Sequence, residues 1–203
     1  MRVIIIAGGT FSPCIEFLKD DYIICADSGF DNAREFGIKP NLMLGDMDSV
    51  KSDVSSVKDM QLFPARKDFT DTELALNAAI DMKPQEIIIL GGIGSRLDHS
   101  IANVFLLKKA YAAGVSACIC DEHNRVYYYK DEFCLTDCLG KTVSLIPLTS
   151  EISGLVTKGL DYPLDNEKIS FGQTRGISNL VTEKEASYRS ESGEGILVIS
   201  DGI

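Results

Sequence analysis

Short apolar runs that do not alternate restrict this chain more than any other feature of its sequence. Val3–Ala7, Tyr22–Ala26, Asn41–Leu44, Glu86–Leu90 and Ser116–Cys120 are β-branched or apolar along most of their length. Strands buried on both faces read this way, because helices cover each side of a parallel sheet. Helical patterns fill the intervals. Thr70-x-x-Glu73 is a capping box, followed by Leu74, Ala75, Ala78, Ala79 and Met82 at helical spacing. A second helix begins near Asp98, carries Ile101, Val104, Phe105 and Leu107, and stops at Gly114. A shorter one around Asp31–Phe36 ends at Gly37.

After about Asn124 the texture changes. Arg125–Lys130, Lys141–Pro147, Gly154–Lys158, Lys168–Phe171, Ala186–Ser190 and Gly195–Ser200 are strand-like pieces separated by Gly, Asn, Asp and Pro, with no helical period. The expected organisation is an α/β domain over residues 1–126, with a mostly parallel Rossmann-like sheet, and a small all-β sandwich over 127–203. The composition shift sets the boundary near 124–132.

Bulk properties remove several classes of function. The formal net charge of −10 comes with no basic stripe, which argues against a nucleic-acid surface. No apolar run approaches the roughly 20 residues needed to cross a bilayer. The apolar start, Met1–Ala7, ends at Gly8-Gly9-Thr10, too early for a signal peptide, and the expected compartment is the cytoplasm. The 6 cysteines form no Cys-x-x-Cys pair and read as small buried hydrophobes. Zinc at Cys134 and Cys138 is a sharper reading that zinc ligand spacings do not favour. With only 2 histidines, His99 and His123, a His-rich metal cage is not expected.

Several strand-like runs end in small or acidic residues: Gly8-Gly9, Asp27-Ser28-Gly29, Gly45-Asp46, Gly91-Gly92 and Asp121. Ligands of open α/β sheets collect beyond the carboxyl ends of the strands, so polar residues gathered there mark a site. Asp46 and Asp48 are spaced so that two carboxylates can meet one hard cation, although an Asp-x-Asp pair also suits a solvated turn. About twenty positions on comes Lys67-Asp68-Phe69-Thr70-Asp71-Thr72-Glu73. Capping explains Thr70 and Glu73 and leaves Lys67, Asp68 and Asp71 without a structural task. Mg²⁺ is held by one or two carboxylates plus substrate phosphates and water, so this set is sufficient for a metal–phosphate site.

Gly91-Gly92-Ile93-Gly94-Ser95-Arg96-Leu97-Asp98-His99 joins a strand to a helix. Glycines let backbone N–H groups approach a ligand there, and a helix N-terminus favours anions. The segment fits neither the dinucleotide fingerprint nor the Walker A pattern. Arg96 has the fork geometry to clasp phosphate. Asp98 reads equally well as a helix N-cap, and His99 as helix-start packing. Gly176-Ile177-Ser178-Asn179, in the β-rich part, has the composition of an ordinary turn.

Taken together, in this order along nearly the whole chain, segments 27–29, 45–49, 67–73, 91–99 and 176–179 resemble the thiamine pyrophosphokinase family. The resemblance implies an N-terminal α/β domain, a C-terminal β-sandwich and a homodimer with the site at the subunit interface. It implies transfer of diphosphate from ATP to the hydroxyethyl group of thiamine, giving thiamine diphosphate and AMP, with Mg²⁺. On the matching positions, Asp46, Asp48 and Asp71 correspond to the Mg²⁺–phosphate centre. Lys67 and Arg96 correspond to phosphate partners, with Asp68 and Thr70 beside them. Asp98 falls near the reacting or thiamine-binding end, and Ser178 and Asn179 resemble thiamine contacts supplied by the other subunit. Asp27 and the Gly8-Gly9 turn would shape the nucleotide pocket. Some members stack an aromatic residue, often Trp, on the pyrimidine; this chain has 0 Trp. Rival readings are a diphosphotransferase for another hydroxymethyl heterocycle such as a pterin, a sugar-nucleotide glycosyltransferase, and a non-catalytic nucleotide or thiamine sensor.

Overall fold

The apolar runs become strands because each buries both of its faces. The computed structural model describes residues 1–46, 50–52, 57, 59–64 and 68–201. Contacts divide the chain into two units, Met1–Glu122 and His123–Ile203. In the first, β1 (Arg2–Ile6), β2 (Tyr22–Ala26), α1 (Gly29–Glu35), β3 (Leu42–Gly45), β4 (Met60–Leu62), α2 (Asp71–Asp81), β5 (Glu86–Leu90), α3 (Leu97–Ala112) and β6 (Ser116–Cys120) follow in chain order. The strands pair in parallel in the order β6-β5-β1-β2-β3-β4. Ile4, Ile5, Ile6, Ile24, Ile87, Ile89 and Leu90 are fully buried along its middle. Each such side chain contributes about 1.5–3 kcal/mol through apolar burial. The short β4 escapes the sequence pattern because all of its residues are exposed, so no burial signal marks it.

The strand order decides where a ligand sits. From β1 the chain runs outward through β2, β3 and β4, then returns to the other side of β1 as β5 and continues to β6. Connections therefore leave the carboxyl ends of β1 and β5 in opposite directions, and a crevice opens between them. Gly8-Gly9 and Gly91–Gly94 are the residues at that crevice.

Helix α3 departs from expectation. It buries Ser100, Asn103, Leu107 and Ala110, whereas Ile101 and Phe105 are 44% and 52% exposed. The inward face is thus set by small and polar residues that satisfy the glycine loop. Helix α2 buries Ala75 and Ala79 of the expected face together with Leu76, which lay outside it, and leaves Leu74, Ala78 and Met82 half-buried.

The segment between β1 and β2 is tied down by Arg2. Its guanidinium donates to Asp21 Oδ1 at 2.9 Å through Nε and to Asp21 Oδ2 at 2.7 Å through Nη2. Nη2 also donates to the Glu16 carbonyl at 2.7 Å, and Leu18 N–H donates to Asp21 Oδ2 at 2.7 Å.

In the second unit, β7 (Asn124–Leu135), β8 (Thr142–Pro147), β9 (Glu151–Lys158), β10 (Glu167–Ser170), β11 (Asn179–Leu180) and β12 (Ala186–Ser200) pair antiparallel. The sequence suggests two strands over 186–200; the structure has one, with a register shift between Arg189 and Glu194. The glycines there mark a bulge rather than a break. The strand's first half pairs with β9 and its second half with β8, while β7 accompanies both. Tyr129, Val143, Leu145, Ile152, Leu155 and Leu197 form the core of this unit.

The Arg2–Asp21 pair gives a pH signature. Burial acts to raise the Asp21 carboxyl, but the Arg2 hydrogen bonds, Leu18 N–H and the Arg2 charge outweigh it and hold the group below its ordinary value. A group depressed in the folded state contributes stability above its unfolded pKa of about 3.9 and loses it as pH falls through the folded value. Asp21→Asn is therefore expected to flatten the acid limb of the stability profile below about pH 4. Urea midpoints measured from pH 2 to 7 check this: an unchanged acid limb would contradict the assignment.

Candidate active site

At the crevice, two glycine loops are joined by backbone alone. Gly9 N–H donates to the Gly91 carbonyl and Thr10 N–H to the Ile93 carbonyl, both at 2.8 Å. A Cβ on Gly94 would stand 2.8 Å from Gly9 Cα, so the two loops leave no room for side chains between them. Three polar side chains brace them from behind. Asn32 of α1 donates to the Ala7 carbonyl at 2.9 Å, and Asn103 of α3 to the Gly92 carbonyl at 2.7 Å. Ser100 Oγ accepts from Gly94 N–H at 3.0 Å and sits 3.0 Å from the Arg96 carbonyl, to which its hydroxyl can donate. Sequence reasoning missed all three. The available signal was polar residues at positions 100 and 103, in step with Leu107 along one helical face.

These loops border a cavity of about 360 Å³ that is also lined by Asp27, Ser28, Thr70, Asp71, Arg96 and His99. Asp27 ends β2 with φ 46°, a left-handed conformation that Asp tolerates better than most residues. Thr70 caps α2: its hydroxyl accepts from Glu73 N–H at 3.2 Å. The Glu73 carboxylate is engaged by Lys109 Nζ at 2.9 Å. Asp71 is the first residue of α2, where the helix N-terminus also favours anions.

Gly45 shows how closely the acidic residues approach. Its φ is 149°, and a Cβ there would stand 3.1 Å from Asp27 Cβ and 3.2 Å from Asp71 Oδ1. Asp46 follows directly and is half-buried. Residues from the ends of β2 and β3 and the start of α2 thus meet beside the cavity. The donors are carboxylates, the hard-oxygen chemistry that Mg²⁺ takes. Among the described residues, no cluster of three or more acidic, His or Cys side chains is placed to hold a metal ion.

The remaining candidates are placed as follows. Arg96 and Asp98 form a forked pair, Nη2 to Oδ2 at 2.7 Å and Nε to Oδ1 at 3.3 Å, with both side chains largely exposed. The pair raises the Arg96 guanidinium and, with His99 N–H, holds the Asp98 carboxyl below its usual range. Arg96 rather than Asp98 occupies the N-cap position of α3. His99 is exposed at the cavity instead of packed under the helix. Asp68 is exposed ahead of α2. Asp48 and Lys67 lie outside the described residues.

In the second unit, a separate cavity of about 360 Å³ is lined by Leu145, Leu155, Tyr162, Arg175, Ile177 and Asn179, among others. Ser178 adopts φ 57°, and its N–H donates to Ser144 Oγ at 2.9 Å. The Asn179 amide clamps the Tyr162 backbone, accepting from Tyr162 N–H at 3.0 Å and donating to its carbonyl at 2.7 Å. Asn179 therefore organises the wall of this cavity, a role the sequence did not suggest.

The fold defines a protein of two units, the first with a crevice at the carboxyl edge of a parallel sheet. Residues 16–119 match the family model described as thiamin pyrophosphokinase, catalytic domain, and residues 129–193 that for the vitamin B1 binding domain. The chain belongs to the thiamin pyrophosphokinase family. The thiamine pyrophosphokinase of Bacillus subtilis (strain 168) is 29% identical over 206 residues, covering 96% of this chain and 95% of its own. A crystal structure of thiamine pyrophosphokinase from Bacillus subtilis superposes with a TM-score of 0.91 at 27% identity, covering 100% of both chains. One from Geobacillus thermodenitrificans gives 0.88 at 29% identity, covering 100% of this chain and 98% of its own.

Crowding at Gly45 is testable. Gly45→Ala combines backbone strain with displacement of Asp27 and Asp71. Gly114→Ala, at φ 75° with nothing within 4 Å of its Cβ, carries strain alone. Strain of this kind costs about 1–3 kcal/mol, and Gly45→Ala should exceed Gly114→Ala by at least about 1 kcal/mol in urea unfolding. Equal losses would mean that the acidic residues do not crowd this point.

Proposed function

We propose that this protein is a thiamine diphosphokinase that transfers the diphosphate of ATP to the hydroxyethyl oxygen of thiamine, releasing AMP. One observation carries the reading: the catalytic-domain match falls on the unit holding the acidic crevice, and the vitamin-binding match on the unit holding the second cavity. No helix among the described residues is long and apolar enough to cross a membrane. The proposed compartment is the cytoplasm.

In this proposal the triphosphate lies over the Gly8-Gly9 and Gly91–Gly94 loops, where side chains would block its approach. Phosphoryl transfer leaves the protein little covalent work, so positioning and charge neutralisation supply most of the rate. Mg²⁺, when bound, would offset phosphate charge and that of the leaving AMP. Asp46, Asp48 and Asp71 are the residues proposed to hold it, with Asp27 beside them. Lys67 and Arg96 complete the phosphate contacts, and Arg96 must give up Asp98 to do so. Freed of that partner, Asp98 can orient the attacking hydroxyl. While it is paired with Arg96 its carboxyl is held low, and an ordinary Asp carboxylate is in any case a weak base, so its proposed role is orientation and not proton removal. Ser178 belongs to the proposed thiamine surface, with Asn179 holding its wall. The proposed functional form is a homodimer in which this surface serves the partner's crevice.

The test is product identity. Purified protein with ATP, Mg²⁺ and thiamine should release AMP and not ADP, and EDTA should abolish turnover until Mg²⁺ is restored. AMP released with a hydroxymethylpterin but not with thiamine would overturn the substrate, and ADP would overturn the reaction. Asp71→Ala should lower turnover by at least about 100-fold with an unchanged circular dichroism spectrum. Near-normal AMP release from it would remove Asp71 from the metal site.

A further inference from the structure

One contact in the first unit plays no part in the phosphate chemistry. Cys14 Sγ lies 3.2 Å from Cys120 Sγ although the residues are 106 positions apart. At that distance one S–H points at the other sulfur as a weak hydrogen bond. Both partners are held in place from elsewhere. Cys120 is the buried last residue of β6. Cys14 is half-buried in the segment between β1 and β2, which is anchored on both sides of it. Upstream, Thr10 N–H donates to Ile93 and the Phe11 ring meets Phe36 edge-on at 5.2 Å. Downstream, Arg2 holds the Glu16 carbonyl. Of the other cysteines, Cys25, Cys118 and Cys138 are buried, and Cys134 is exposed in the second unit.

We infer that Cys14 and Cys120 are a disulfide-forming pair whose co-reactant is a low-molecular-weight disulfide, and that the bond fastens the β1–β2 segment to the end of β6. Exposure sets the order of steps. The Cys14 thiolate attacks one sulfur of the small disulfide, forms a mixed disulfide and expels a small thiolate. Cys120, already in contact, then attacks the Cys14 sulfur and expels the second small thiol. The protein loses two protons and two electrons, and the small disulfide becomes two thiols. Burial, with the neighbouring thiol, pushes Cys14 up to about 12, so little thiolate exists at neutral pH and the first step is slow. The readout is therefore the equilibrium position. In a reducing compartment both groups remain thiols, and the bond forms as the poise becomes more oxidising. A cross-link closing so long a loop also restricts the unfolded chain strongly.

The test uses the full-length protein equilibrated with graded ratios of oxidised to reduced glutathione, then blocked with an alkylating reagent and mapped by mass spectrometry without reduction. The expected product joins the Cys14 and Cys120 peptides, about 2 Da lighter than their sum, while exposed Cys134 carries glutathione. The oxidised protein should melt at least about 4 °C above the reduced one. Cys14→Ser should abolish both the linked peptide and the shift, and Cys134→Ser should leave both intact. If Cys134 is fully modified while Cys14 and Cys120 are recovered as free thiols, or Cys14 only carries glutathione, the inference is overturned. Peptide mapping needs no turnover, so this outcome is independent of the diphosphotransfer assay.

Discussion

The backbone seam between the two glycine loops is the constraint on which the first unit depends. Gly9 and Thr10 donate to Gly91 and Ile93, and the strands that lead to them lie side by side in the sheet. Only glycine permits that approach, since a Cβ on Gly94 would run into the Gly9 backbone. The seam joins the carboxyl ends of β1 and β5 where connections depart in opposite directions. Asn32, Ser100 and Asn103 use their hydrogen bonds to hold that backbone still, which is why α3 turns polar residues inward. Its apolar Ile101 and Phe105 are left facing out.

Charge is arranged around the seam in two ways. Asp27 and Asp71, from two different elements, both approach Gly45, which Asp46 follows directly. Arg96 stands on the opposite side of the logic. In the resting molecule its charge is matched by Asp98, two residues away and equally exposed. An exposed pair of this kind contributes little to stability, so exchanging one anion for another costs little.

The second unit is held together by different means. Its long β12 changes neighbours at a bulge, and the cavity wall is set by one amide that satisfies both backbone groups of Tyr162. Asn179, which the family resemblance matches to a thiamine contact, has both ends of its amide engaged by that wall. The left-handed Ser178 beside it presents a turn whose N–H is also engaged, by Ser144. The surface is pre-formed by internal bonds, so little ordering remains to be done on binding.

The class of each half is legible in its residue pattern. Doubly buried runs such as Ile4–Ile6 and Ile87–Leu90 read as strands of a covered parallel sheet, and Thr70 announced α2 as the cap that accepts from Glu73 N–H, although the Glu73 carboxylate pairs with Lys109 instead of closing the capping box. The acidic and glycine-rich strand ends could also be read, because ligand sites of such sheets lie at one edge. Tertiary structure alone decided the rest. Whether Ile101 or Ser100 faces inward depends on which loop α3 must satisfy. Residues 190–193 look like a break and form a bulge because two different partners claim the strand around them. The meeting of Asp27 with Asp71, and of Cys14 with Cys120, joins residues separated by long stretches of chain. No local pattern encodes such encounters; they arise only when parallel pairing brings the strand ends to a common edge.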